Sequence, residues 1–372
     1  MQYNLFTKAV PLIKWDSLLY SFCLFCLLGC SEKQGIPSSR YSTFPQTIEL
    51  KAEVIQLDTA LFRYPFRIAV RDSIAVVMDL HNADHFLHVF SYPQWAHITS
   101  FGKRGEAPGE LLSAETFHFH ALDSIWVLDA NKMEINRWKI SPDHRSSRCI
   151  EVISLDKKLV RILDFFPMDS CIWAPDYLGE FRCHQIDLAG KRVNSVGNIP
   201  SQKEYKEVAR PALAQAWRSF MDYHPSTGRL VLATQLGEVI EIYDLKNNTH
   251  TAVYGPAGEP VFEMYQGGCI PTGIMGFSDI QVTEKYIYTV FHGQTFKEIA
   301  ISYQKGKNPE DGGRFIYVFD LDGKPVCRYA LDRAIYGIYV NEETGTITAT
   351  DVNNDDSIVQ FKIESIHQPG RL

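Results

Sequence analysis

Short runs in which apolar and polar residues alternate recur from about residue 47 to the end of the chain, with turn residues between them. A period of two marks strands whose faces differ, and it predicts an all-β body. Six of these runs align with one another. They are Phe66-Arg67-Ile68-Ala69-Val70, Phe117-His118-Phe119-His120-Ala121, Leu163-Asp164-Phe165-Phe166, Met221-Asp222-Tyr223-His224, Ser278-Asp279-Ile280-Gln281-Val282 and Tyr336-Gly337-Ile338-Tyr339-Val340. A turn follows each at the same distance, at Asp72, Asp123, Asp169, Thr227, Glu284 and Glu342, so the register holds without a gap. Second and third strands follow every turn, for example Ile125-Trp126-Val127-Leu128 and then Glu134 to Trp138.

Fourth strands complete most units, as in Ala96 to Phe101, and the units repeat every roughly 46 to 58 residues. Four antiparallel strands at that period predict a six-bladed β-propeller over residues 47–372, because one blade cannot bury both its faces until the ring closes. The sixth unit runs out after three strands. The alternating stretch from Thr47 to Leu57 is expected to supply its fourth strand and close the circle. A β-sandwich is the competing architecture.

The N-terminus carries a different pattern. An apolar run from Leu18 to Leu28 follows Lys8 and Lys14. It is too short to span a bilayer as a helix and suits the core of a signal peptide. It ends in Leu27-Leu28-Gly29-Cys30, which resembles the bacterial lipobox. The resemblance implies a signal peptide over 1–29, lipidation of Cys30 and a membrane partner reached through its acyl chains. Asp16 weakens the basic bias of the leader. Residues 30–46 are polar and turn-rich, and are expected to form a flexible tether.

Composition narrows the partners. The formal net charge is -7 and no Lys/Arg cluster stands out, which argues against nucleic acid. Of eight cysteines, Cys149, Cys171, Cys183, Cys269 and Cys327 follow the leader. They lack zinc-site spacing, and Cys171 with Cys183 is the one candidate disulfide.

Candidate chemistry sits on the inner strands. The shared register puts Arg67, His118, Asp164, Asp222, Asp279 and Gly337 at one level, expected to face a central channel. Three carboxylates at one level repel each other, so raised pKa values or a bound divalent cation are expected. A hydrated channel in which Arg67 offsets the acids is the plainer alternative. His118 and His120 point the same way on one strand, and His81, Asp84, His85 and His88 crowd one loop and strand start. Two insertions, Ser201 to Phe220 and Gly293 to Gly313, interrupt the repeat. The first contains a candidate short helix, and Tyr205, Arg210, Trp217 and Lys305 are candidate contact residues on these loops.

Phe101 to Leu111, rich in glycine, resembles the inter-blade connection of NHL-like and TolB-like propellers. Trp126-Val127-Leu128-Asp129-Ala130-Asn131 before Ile135 is similar to the strand-turn-strand of those repeats, and Ala349 to Asn354 before Ile358 repeats it. With the lipobox, the chain resembles TolB-like propeller lipoproteins of the Bacteroides type. This implies a lipid-anchored body in the cell envelope, periplasmic or surface-facing, and no set reaction. The expected function is a non-enzymatic binding module for a protein, peptide or glycan. The alternative is a metal-dependent hydrolase or lyase with an axial carboxylate site, similar to lactonase-like propellers.

Overall fold

The computed structural model describes residues 36–57, 62–141 and 146–364. The signal segment, Cys30 and residues 31–35 of the expected tether lie outside the described residues. Contacts divide the chain into Met1–Ile36 and Pro37–Leu372, and the strands among the described residues lie in the second unit.

Six antiparallel sheets follow one another. Blade one is Pro65–Arg71, Ile74–Asp79, His85–Ser91 and His97–Lys103. Blade two is Ala114–Ala121, Ser124–Asp129, Glu134–Ile140 and Ser147–Ser154. Blade three is Phe166–Pro167, Cys171–Pro175, Cys183–Asp187 and Arg192–Val196. Blade four is Ser219–His224, Arg229–Thr234, Val239–Asp244 and Thr249–Tyr254. Blade five is Phe277–Val282, Tyr286–Phe291, Gly313–Asp320 and Pro325–Ile335. Blade six is Ile338–Asn341, Thr346–Thr350, Ile358–Lys362 and, from the other end of the chain, Glu53–Val54.

Every residue of Ile74–Asp79, Ser124–Asp129, Cys171–Pro175 and Tyr286–Phe291 is buried. A strand apolar on both faces needs a neighbour on each, and the flanking blades provide them. Around the axis, Phe66, Phe117, Phe220 and Phe277 from four inner strands, and Tyr336 just before a fifth, join one buried cluster. Each such side chain contributes about 1.5–3 kcal/mol by leaving water.

Closure differs from the expectation in extent. Only Glu53–Val54 joins blade six, opposite Gln360 and Val359, with Ile55 N–H donating to Ile358 O at 2.9 Å. Thr47–Leu50 instead lies parallel to the outer strand of blade five, from Thr47 opposite Arg328 to Leu50 opposite Leu331. Ser38–Arg40 lies parallel to the outer strand of blade four. The N-terminal stretch is therefore a belt over the rims of three successive blades.

The belt also corrects the tether, which over residues 36–46 is structured. The Tyr41 hydroxyl donates to Glu238 at 2.9 Å, and the rings of Tyr41 and Phe44 pack on Phe319 and Tyr317 at 4.5 to 5.4 Å. In blade three the expected inner strand from Leu163 shrinks to Phe166–Pro167, and the Phe165 N–H donates to Asp164 Oδ1 at 2.9 Å instead of to a ladder partner. The Cys171–Cys183 bridge fails on register. Cys171 faces Asp187 and Cys183 faces Pro175, four residues along the ladder, and all five described cysteines are free. That offset is roughly 13 Å of strand, well beyond what a disulfide reaches.

Candidate functional site

The inner strands run the same way around the axis, so their early residues gather at one end of the channel and their late residues at the other. Between the ends, Arg67 forms ion pairs with Asp279 and, at 3.6 Å, with Asp164. Its side chain is 12% exposed, that of Asp279 5% and that of Asp164 3%. The guanidinium also sits over the Phe66 and Phe220 rings, at 5.3 and 4.7 Å from their centres. Gly337 completes the level for a steric reason: a Cβ there would meet Phe66 O at 2.8 Å and Arg67 Cα at 3.0 Å.

The three carboxylates bind main chain of the next blade. Asp164 accepts from Met221 N–H at 2.9 Å, Asp222 from Val282 N–H at 2.6 Å and Asp279 from Ile338 N–H at 2.8 Å. Burial pushes Asp164 up to about 6 although Arg67 pulls the other way. Burial also pushes Asp222 up to about 7, with help from the charges of Asp279 and Asp164. Asp279 is raised by burial and held back by Arg67. Burial opposes the charge on Arg67, and Asp279 and Asp164 more than restore it. His118 is pulled down to about 3 by burial and then by Arg67, so it is neutral near pH 7.

This arrangement gives the metalloenzyme alternative no ligand set. A cation needs converging lone pairs, and here each acid is turned onto a backbone N–H or onto Arg67. Among the described residues no group of three His, Cys, Asp or Glu could hold a metal ion. His118 and His120 do not form a pair with a third ligand; the His118 ring lies edge-on to Phe165 and Phe166, and that of His120 beside Trp126. His88 in the blade-one group is buried against Ser100 Oγ at 2.8 Å.

Arg67 and its acids divide the channel in two. A chamber of about 250 Å³ lies toward the late ends of the inner strands and is lined by His118, Asp222, Tyr223, Val282 and Tyr339. A chamber of about 400 Å³ lies toward the early ends, lined by Tyr64, Glu115, Tyr177, Arg218, Gln235 and Tyr336, with Arg67 and Phe220 below. Apart from Glu115, at the start of the inner strand of blade two, its walls are the connections between blades and the turns that follow second strands.

Both insertions rise from those same connections. The first contains the expected helix, Arg210–Ala216, started by Pro211. The second holds a helix not expected, Phe296–Gln304, with Thr295 and Glu298 forming a capping box. An antiparallel hairpin, Phe262–Tyr265 with Gly268–Pro271, projects between blades four and five and exposes Met264, Tyr265 and Ile270.

The four loop residues do not share one place. Tyr205 stacks on Phe262 at 5.3 Å, Arg210 is exposed at its helix start and Lys305 is exposed at the end of Phe296–Gln304. Trp217 is a correction: it is 0% exposed, because the helix lays it beneath itself as core, and it cannot touch a ligand. Arg218, Tyr177 and Gln235 went unnoticed in the sequence, and Tyr336 was read only as the start of the sixth aligned run. The first three lie in connections of unequal length, where a repeat register has no hold.

A model of the TolB-like six-bladed propeller family matches residues 43–343. The chain belongs to the TolB-like propeller family. Two solved structures share the fold. One is a protein described as exported from Bacteroides fragilis, with a TM-score of 0.54, 12% identity, and coverage of 88% of this chain and 99% of that one. The other is a member of the DUF4221 family from Bacteroides vulgatus, with a TM-score of 0.54, 10% identity, and coverage of 85% and 98%. No curated protein sequence matches the chain. At these identities the solved structures speak for the TolB-like fold alone.

Proposed function

We propose that this TolB-like propeller is a binding module of the bacterial cell envelope, lipid-anchored through Cys30, which takes its ligand in the chamber above Arg67. The observation that carries the reading is the chamber itself: about 400 Å³, walled by aromatic and polar side chains and floored by the ion triad of Arg67, Asp164 and Asp279. Pockets of this size and mixed lining are the usual form of small-ligand sites. The helices and the hairpin around its mouth add surface for the rest of a larger glycan, peptide or protein partner. The lipobox-like end of the leader, and the exported relative of the same fold, support placement outside the cytoplasm.

The test is an array of defined saccharides and peptides probed with the full chain in detergent. Leu80 lines the chamber, and Leu80→Trp fills it. Binding that disappears in Leu80→Trp while thermal unfolding stays cooperative supports the reading. Undiminished binding overturns it. In parallel, Cys30→Ala should abolish radiolabelled palmitate incorporation and release the protein from the membrane fraction.

A further inference from the structure

One charge in the chamber is unanswered. Arg218 stands between the helix Arg210–Ala216 and the inner strand of blade four, its carbonyl fixed by Gln235 N–H at 2.9 Å. Its Nε is buried without a partner, and among the described residues no ion pair or hydrogen bond reaches its guanidinium. Its charge acts on the phenols of Tyr177 and Tyr336 and on the Cys269 thiol of the hairpin. Leaving a half-buried guanidinium unpaired costs free energy that an anionic ligand would recover.

The acids of the chamber are all engaged. Asp164 holds Arg67 and two N–H groups, Asp311 accepts from the Tyr64 hydroxyl and from Gly312 N–H, and Glu115 accepts from Ser113 Oγ at 2.8 Å. A dianionic phosphate would meet one free cation and three carboxyl groups, which disfavours it. A single carboxylate suits the planar guanidinium fork. Hydroxyl groups around it would donate to the remaining lone pairs of Glu115 and Asp311, and its apolar face would lie on Tyr336 or Phe220.

We infer that Arg218 is the carboxylate anchor of a site for a polyhydroxylated monocarboxylate, an acidic sugar of the hexuronate class. The inference rests on the chamber reading above and names its ligand. The experiment is calorimetric titration of the full chain with galacturonate and with galactose, which differ only in the carboxylate at C6. Galacturonate is expected to bind roughly ten- to hundredfold more tightly, the range for a charge-assisted pair. Arg218→Gln should erase that difference while keeping the weak binding of galactose, and Arg218→Lys should restore part of it. Tyr336→Ala should weaken both sugars together. Equal affinity for the two sugars, a preference that survives Arg218→Gln, or no binding of either sugar overturns the inference. The chamber reading falls separately, if array ligands still bind Leu80→Trp.

Discussion

Asp164, Asp222 and Asp279 occupy equivalent places in three blades, yet their surroundings give them different electrostatics. Arg67 serves Asp164 and Asp279, while Asp222 has only backbone donors and is pushed up to about 7. An unfolded chain ionises aspartate near about 3.9. Between these values the folded state keeps a proton that the unfolded state gives up, so stability falls as pH rises from about 4 to 7 and then levels off. The slope approaches about 1.4 kcal/mol per pH unit as an upper bound. Asp222→Asn keeps an acceptor for Val282 N–H and removes the titration. Urea denaturation should find the variant more stable than the parent at pH 7.5 and equal to it at pH 4; a constant difference across that range would refute the assignment. The sequence register showed that these acids share a level. It could not show which of them Arg67 would reach, because that depends on rotamers reaching across the axis.

At the scale of elements, the inner strands and turns were legible because both faces of each blade are buried and the register repeats. The belt was not. Ser38–Arg40 pairs through its main chain and exposes all three side chains, so it leaves no alternating signature. Its real signal was the isolated aromatics Tyr41 and Phe44 in a polar stretch. The capping box at Thr295 and Glu298 was present in the sequence, but the glycine-rich surroundings of the insertion masked it. The belt carries a prediction of its own. Removing residues 31–50 strips two rim strands and the Tyr41–Phe44 contacts but spares Glu53–Val54. Removing 31–56 also opens blade six. The first deletion should lower stability by about 2 kcal/mol for each lost aromatic side chain and keep one cooperative transition. The second should broaden or split the transition, because blades one and six then lose their hydrogen-bonded link. Calorimetry separates the two, and equal effects would mean that the short strand does not close the ring.

For the whole molecule, the decisive feature is that one arginine makes a floor out of what would otherwise be an open axis. A pore lined by acids was readable from the repeat register, and so was the option that Arg67 offsets them. The chamber above it was not, since connections of unequal length build its walls. Arg67→Leu keeps the bulk against Phe66 and Phe220 but strands Asp164 and Asp279 without a cation. Removing one partner of a buried pair costs roughly 3–5 kcal/mol. Without the arginine both carboxyls would be protonated more readily, so the deficit should shrink as pH falls from 7.5 toward 5. Adding Asp279→Asn to Arg67→Leu takes away one stranded charge and should recover part of the loss at pH 7.5 and little at pH 5. A double variant no more stable than Arg67→Leu at pH 7.5 would show that packing, and not charge, fixes Arg67 at the axis. Recovery would instead mean that the two chambers are kept apart by an ion triad that links residues of blades one, three and five across the axis.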